Sequence, residues 1–335
     1  MGDGNLAKRL KPVLNRAAEA ILQRQSEDGA IWMVPAAQPV NSLIPYFANL
    51  AAIGLATAYP FTRNKLHLQA VAKWLHWYAQ HLNPDGTMDD YRRQDGKLQP
   101  TGDCDSTDSY AATFLEALYR YFEVSRDRKV IETLYPAVVK TTGAIRLTLQ
   151  EDGLTWAKPT YHVKYLMDNV EVYRGWQSAA SLAQATSHRQ EASALRKRAE
   201  GTLQAIEGSL FLESKGYYAW AMYENGILET RLERWYPDVM AQLMAIAWLP
   251  ASARRKGLFA RLCKQFRDSL QSALEESEVG VLVWWGMAAI GANDRSLARR
   301  IALKMTESNV LSQSPLSLAE YGHILRMGGS LVLQG

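Results

Sequence analysis

The chain has 335 residues, of which 47% are hydrophobic and 21% charged, with a formal net charge of +4. That is enough apolar material for one large domain or two ordinary ones with a substantial core. The near-neutral balance argues against a nucleic-acid partner, because its nearest approach to a basic block, "SARRKG" at 252–257, reads as a solvated helix start.

The first segment, residues 6–25, sets Leu6, Leu10, Val13, Leu14, Ala17, Ile21 and Leu22 on one stripe, with Arg, Lys and Glu opposite. Such a helix packs on one side and faces water on the other. The next, residues 41–59, is apolar almost all round and must be buried on most sides. This alternation recurs. Amphipathic segments begin near Asn64, Arg128, Ser187, Ser252 and Asp294; apolar or small-residue-rich ones begin near Asp105, Asp168, Pro237, Val279 and Leu316. Matching loops join them, "QSEDGAIW", "NPDGTMDDY" and "QEDGLTW", whose Asp-Gly pairs start at Asp28, Asp85 and Asp152. A longer fourth loop shows strand-like alternation and predicts a hairpin-like insertion near 212–231, a lid or subsite wall.

Roughly twelve helices in six pairs of about 55 residues predict an all-α (α/α)6 toroid spanning 1–335 as a single domain. Inner helices would wall a central cavity and outer helices would shield them. No apolar run reaches the ~18 residues of a membrane span. The N-terminal residues lack the apolar core of a secretion signal, so the expected location is cytoplasmic. Two cysteines, Cys104 and Cys263, support neither a disulfide framework nor a metal site, and no metal or cofactor is expected.

In such a ring every loop that follows an outer helix opens at one rim, where the inner helices begin. Polar residues collect there: Asp103, Asp105 and Asp108; then Asp168, Glu171, Tyr173, Arg174 and Trp176; then Trp235, Tyr236 and Asp238; then Trp284. An aspartate at a helix start can cap free amides. Capping accounts for one carboxylate per helix, and Asp105 is expected to take that role. Asp108 and Glu171 are then surplus, and a carboxylate in an apolar ring is costly unless paired or used. Asp108 and Asp168 lie sixty residues apart, one repeat, so they should occupy similar heights on neighbouring helices. Axes ~8–10 Å apart would allow the ~6.5–9.5 Å carboxyl separation of an inverting glycosidase. Asp108 and Asp168 are therefore the expected acid and base, with Asp105 in reserve. Trp176, Trp235, Tyr236 and Trp284 would stack on sugar faces. Arg174 would grip hydroxyls or a carboxylate, and Glu171, Tyr173 and Asp238 would complete the substrate site, with Glu171 and Asp238 also in reserve for Asp168 as Asp105 is for Asp108.

The stretches "STDSYAATFLEAL", "YLMDNVEVYRGWQSA" and "RWYPDVMAQL" resemble the six-hairpin glycosidase superfamily, and within it the unsaturated glucuronyl hydrolases. The resemblance implies catalytic aspartates at Asp108 and Asp168 and a carbohydrate substrate. The histidine those enzymes tend to carry beside the first aspartate is Thr107 here, which leaves the sugar unspecified. Two other resemblances stay open. "ILQRQSEDGAIW" and "DCDST" resemble the repeat and acid motifs of terpenoid cyclases, which implies Asp105 as proton donor. A non-hydrolytic sugar-binding or epimerase toroid would rely on histidines, and the six here do not cluster at inner-helix starts.

Overall fold

The computed structural model describes residues 3–94, 97–307, 311 and 316–333. The described residues form two concentric rings of helices. The inner ring is α2 (Pro45–Thr62), α4 (Thr107–Ser125), α6 (Leu166–Ala185), α8 (Met240–Trp248), α11 (Val279–Ala292) and α13 (Leu318–Leu333). The outer ring is α1 (Asp3–Leu22), α3 (Lys65–His81), α5 (Arg128–Thr148), α7 (Arg189–Ala205), the split pair α9 (Ala253–Gln265) and α10 (Arg267–Glu276), and α12 (Arg295–Met305). Each inner helix packs on the next, and α13 returns against α2 to close the ring. The closure is tight because small residues meet there: a Cβ on Gly54 would strike the backbone of Gly322, and one on Gly322 would strike Leu50. The fifth outer element is two helices where one was expected, because Phe266 (φ −109°, ψ 28°) leaves helical geometry.

The two ends of the toroid differ for a local reason. At the closed end, three inner helices (α2, α4 and α11) hand over to the next outer helix in two residues: a left-handed residue ends the first and a polar side chain starts the second. Arg63 (φ 53°) precedes Asn64, which accepts from the Leu66 amide at 3.0 Å. Arg126 (φ 56°) precedes Asp127, which accepts from Val130 at 3.2 Å, and Asn293 (φ 62°) precedes Asp294, which accepts from Leu297 at 3.0 Å. Side-chain caps of this kind satisfy the otherwise orphaned first-turn amides.

At the open end the connections are long and fold on themselves. The three Asp-Gly loops share one geometry, with Asp28, Asp85 and Asp152 each accepting from the amide two residues on. The following Gly29, Gly86 and Gly153 sit at φ 102°, 86° and 87°, a region only glycine enters freely. The first two press so closely on the next outer helix that a Cβ would strike the backbone of Lys73 or Lys140. These aspartates build the turns of the rim.

Short strands decorate the same end. β4 (Val163–Tyr165), β7 (Ala221–Tyr223) and β8 (Leu228–Glu229) form one antiparallel sheet, and β5 (Phe211–Leu212) pairs with β6 (Tyr217–Tyr218). These account for the hairpin-like insertion. A further sheet, β1 (Asn41–Leu43), β2 (Tyr91–Gln94) and β3 (Lys97–Pro100), was not anticipated, because β1 pairs with a partner about fifty residues away (Leu43 with Tyr91). No helix among the described residues is long and apolar enough to cross a membrane.

Candidate active site

The helix α4 begins one residue later than the sequence suggested. Ser106, not Asp105, is its cap: Ser106 has extended backbone and its Oγ accepts from the Ser109 amide at 3.4 Å. The Thr107 amide donates to the Ala157 carbonyl at 2.7 Å, which ties the helix start to the next loop and fixes this register. Asp105 therefore falls outside the helix, exposed on the rim. Asp108 falls inside the first turn and is fully buried.

Burying a carboxylate requires donors, and Asp108 has three: Ser106 Oγ at 2.6 Å, the Ser109 amide at 2.8 Å and Thr155 Oγ1 at 2.5 Å. Thr155 comes from the loop after α5 and is held there by Asn169 of α6, whose Oδ1 accepts from the Thr155 amide at 2.8 Å. Burial nonetheless pushes the Asp108 carboxyl up to about 6.

Asp168, in the first turn of α6, is partly exposed, and its Oδ2 lies 3.2 Å from the same Ser106 Oγ. One hydroxyl thus joins two carboxyls. The serine has a single proton, so it donates to one carboxyl and accepts from the other. Asp108 has two further donors that favour its charged form; among the described residues Asp168 has only this hydrogen bond. Burial first, and then the facing Asp108 charge, raise Asp168 well above the ordinary carboxylate range. The two carboxyls influence each other's titration, and the donors on Asp108 favour placing the shared proton on Asp168. Their nearest oxygens lie 2.6 and 3.2 Å from one atom, so they are no more than about 5.8 Å apart. That is tighter than expected for an inverting acid and base.

Glu171, one turn along α6, is buried and reaches the Tyr46 hydroxyl of α2, which donates to its Oε1 at 2.9 Å. Because α2 and α6 are not neighbours in the ring, this bond crosses the lumen. Burial lifts the Glu171 carboxyl to about 8, so it is largely protonated at neutral pH.

Above these acids opens a cleft of about 560 Å³, lined by Asp105, Ser106, Lys158, Tyr161, Tyr165, Asp168, Trp220 and Tyr236 among others. Tyr165 and Trp220 lie parallel, with centroids 6.4 Å apart. Tyr236 precedes a proline, which favours extended backbone (φ −114°, ψ 134°) and projects its ring from the start of the fourth inner segment; it is 62% exposed. The rim continues past Asp105 and Lys158 into a second cleft holding Asp90, Arg92, Asp103 and Cys104. There Tyr110 donates to Asp90 at 2.8 Å, burial raises Asp90 to about 6, and Lys158 pairs with Asp103 at 2.8 Å.

Several expected residues lie elsewhere. Trp176 is fully buried under the Arg198 guanidinium of α7, 5.7 Å from its ring, because it sits almost a quarter-turn off the Asp168 face. Tyr173 is buried and its hydroxyl accepts from Gln177 at 2.7 Å. Trp284 is buried against Trp248 and His323. Asp238 is buried and accepts the amides of Glu233 and Arg234, both at 3.0 Å, bracing the start of its own helix. Arg174 is paired with Glu116 in the lower lumen. None of these five lines the mouth cleft; nor does Trp235, which is half-buried and packs against the core. Sequence reasoning missed Ser106 as the joint between carboxyls, Thr155 and Asn169 as its supports, and Trp220 and Tyr165 as walls. The only available signal for Trp220 was the strand-like alternation around it.

No family model matches the chain, and no curated protein does. Solved structures do. The chain is similar to an uncharacterized conserved protein from Thermus thermophilus, at a TM-score of 0.65 and 12% identity, over 95% of this chain and 99% of that one. It is similar to a novel alpha-amylase from Clostridium perfringens, at 0.62 and 9%, over 96% and 98%. It is also similar to a rhamnosidase from Klebsiella oxytoca with rhamnose bound, at 0.57 and 17%, over 86% of this chain and 53% of that one. What the chain shares with these structures is the fold, paired helices in two concentric rings.

Proposed function

We propose that the chain is a glycoside hydrolase whose substrate enters the mouth cleft. The observation that carries this reading is Asp168: it stands in the wall of a polar cleft flanked by aromatic rings, where burial and the facing Asp108 charge favour its protonated form. That is the state a general acid needs in order to deliver a proton to a leaving glycosidic oxygen. Asp108 is too deeply buried to touch a sugar. It acts through Ser106, holding Asp168 in place and favouring its protonation by charge.

The second carboxylate is Asp105, exposed across the same cleft. Asp105, Asp168 and Tyr236 all line this cleft. In an inverting reaction Asp105 would take a proton from water as it attacks the anomeric carbon from the face opposite the leaving oxygen. Tyr161, Tyr165, Trp220 and Tyr236 offer flat faces with polar edges, which suit sugar rings. Structural neighbours described as an alpha-amylase, a rhamnosidase with rhamnose bound and a glycosidase in complex with glucose support the same class of substrate.

The other readings have less support. A terpenoid-cyclase-like toroid would centre Asp105 in a dry cavity, whereas it sits on the solvent rim. A histidine-based epimerase would bring histidine to the cleft. Yet His162 stacks on Trp156 outside its wall, and His323 is buried beside Trp284. The test is a panel of glycosides and oligosaccharides followed by proton NMR of the first-formed anomer. Release of the inverted anomer is expected; a retained anomer, or no hydrolysis of any member, would overturn the mechanism or the class.

A further inference from the structure

The opposite end of the toroid carries a second opening, of about 520 Å³, between the C-terminal turns of α2, α4 and α13. Its walls include Arg63, Arg120, Arg326, Glu123, Tyr59 and Ser330. Three guanidinium groups thus face one carboxylate. Arg120 pairs with Glu123 at 2.5 Å, and Arg63 makes no ion pair among the described residues. Arg326 is 7% exposed, lies over the Trp248 ring at 4.2 Å, and donates from Nη2 to Glu116 at 2.6 Å. Glu116 is already neutralised by Arg174, its bidentate partner.

The charge in this region is therefore uncompensated, and one donor is unmet: Arg326 Nη1 is buried without a hydrogen-bond partner among the described residues. A buried guanidinium with an unpaired N–H is costly unless an acceptor reaches it. Arginine forks suit planar or tetrahedral oxyanions, which accept several charge-assisted bonds at once. Helix C-termini carry partial negative charge, which offsets part of the positive field but offers no acceptor at Nη1.

We propose that this closed-end cleft is a binding site for a phosphate group, free or carried on a small molecule, held by Arg326, Arg120 and Arg63. It is independent of the hydrolase reading, since it shares no residue with the mouth cleft. The experiment is calorimetric titration of the full chain at low ionic strength with inorganic phosphate and, separately, with a hexose phosphate. One saturable site with a Kd of roughly 0.1–1 mM is expected, typical of a few charge-assisted bonds. Tighter binding of the hexose phosphate would mark a phosphate monoester as ligand, and equal binding would mark the free ion.

Two variants locate the site without disturbing the buried pairs. R63N removes an exposed cation at a position where asparagine tolerates the left-handed backbone, and S330D adds a carboxylate to the wall. Each should weaken phosphate binding at least ~10-fold, beyond what a remote surface charge does across a screened distance, while D168N leaves it unchanged. Absence of saturable binding, or equal affinity in wild type, R63N and S330D, would overturn the proposal.

Discussion

Replacing Glu171 by glutamine keeps the shape of the side chain and the acceptor for Tyr46 but removes its titration. The folded protein holds this carboxyl near 8, against 4.5 for a free glutamate, chiefly because it is buried. A group that binds its proton more tightly when folded contributes stability that is fully present below pH ~4.5 and is lost as pH rises through ~8. At ~1.36 kcal/mol per unit, the loss has a ceiling of roughly 5 kcal/mol. A chain of this size unfolds with an entropy near 0.7 kcal/mol/K, taking ~2.1 cal/mol/K per residue, so the ceiling corresponds to roughly 7 °C in Tm. The wild type should therefore lose about 3–7 °C more than E171Q between pH 5 and pH 8, measured by calorimetry in matched buffers. Asp108 and Asp168 shift in the same direction in both proteins, Asp168 somewhat less in E171Q because the Glu171 charge adds to its shift, which falls within the stated range. Parallel Tm curves for wild type and E171Q would refute the assignment of a protonated carboxyl to the lumen.

Removing the shared hydroxyl in S106A should cost ~1 kcal/mol of stability as a lost cap. It should also move the acidic and basic limbs of the kcat profile, which loss of a cap alone would not do; an unshifted profile would remove Ser106 from the carboxyl pair. W176F should leave sugar affinity within about twofold, since Trp176 faces α7, whereas W220A should weaken it by ~1 kcal/mol or more as a stacking wall is lost; the reverse order would restore Trp176 to the site. E116Q should destabilise by about 3–5 kcal/mol in urea titrations because it leaves Arg174 and Arg326 buried without their carboxylate. The same arginines hold Glu116 well below the usual carboxylate range, so its contribution is present above that range and fades as pH falls; an E116Q deficit that grew on acidification would contradict this.

The toroid was legible because it is written in local, repeated signals. Alternating amphipathic and all-round apolar segments place outer and inner helices, and the three Asp-Gly loops mark a period and turn out to share one turn geometry. The site was legible only in outline. The run from Asp103 to Asp108 offers an aspartate, a serine and a threonine in consecutive positions as caps, and local preference does not separate them. The choice of Ser106 depends on the Thr107 amide meeting Ala157, a contact about fifty residues away. That one-residue register carries Asp108 from the cavity wall into the core. Trp176 and Arg174 illustrate a related limit: residues a few positions apart on α6 point to an outer helix, the lower lumen or the mouth, and only the packing of the ring sets which. The cleft's aromatic walls come from loops joined by strand pairing across long separations, where sequence periodicity is weakest.

The central claim, that Asp168 delivers the leaving-group proton, is tested most directly by the leaving-group dependence of D168N. On a hydrolysed aryl glycoside series, the variant should lose ~10²–10⁴-fold against poor leaving groups, which need a proton, and far less against a dinitrophenolate, which does not. Equal losses across the series, or none, would contradict the account.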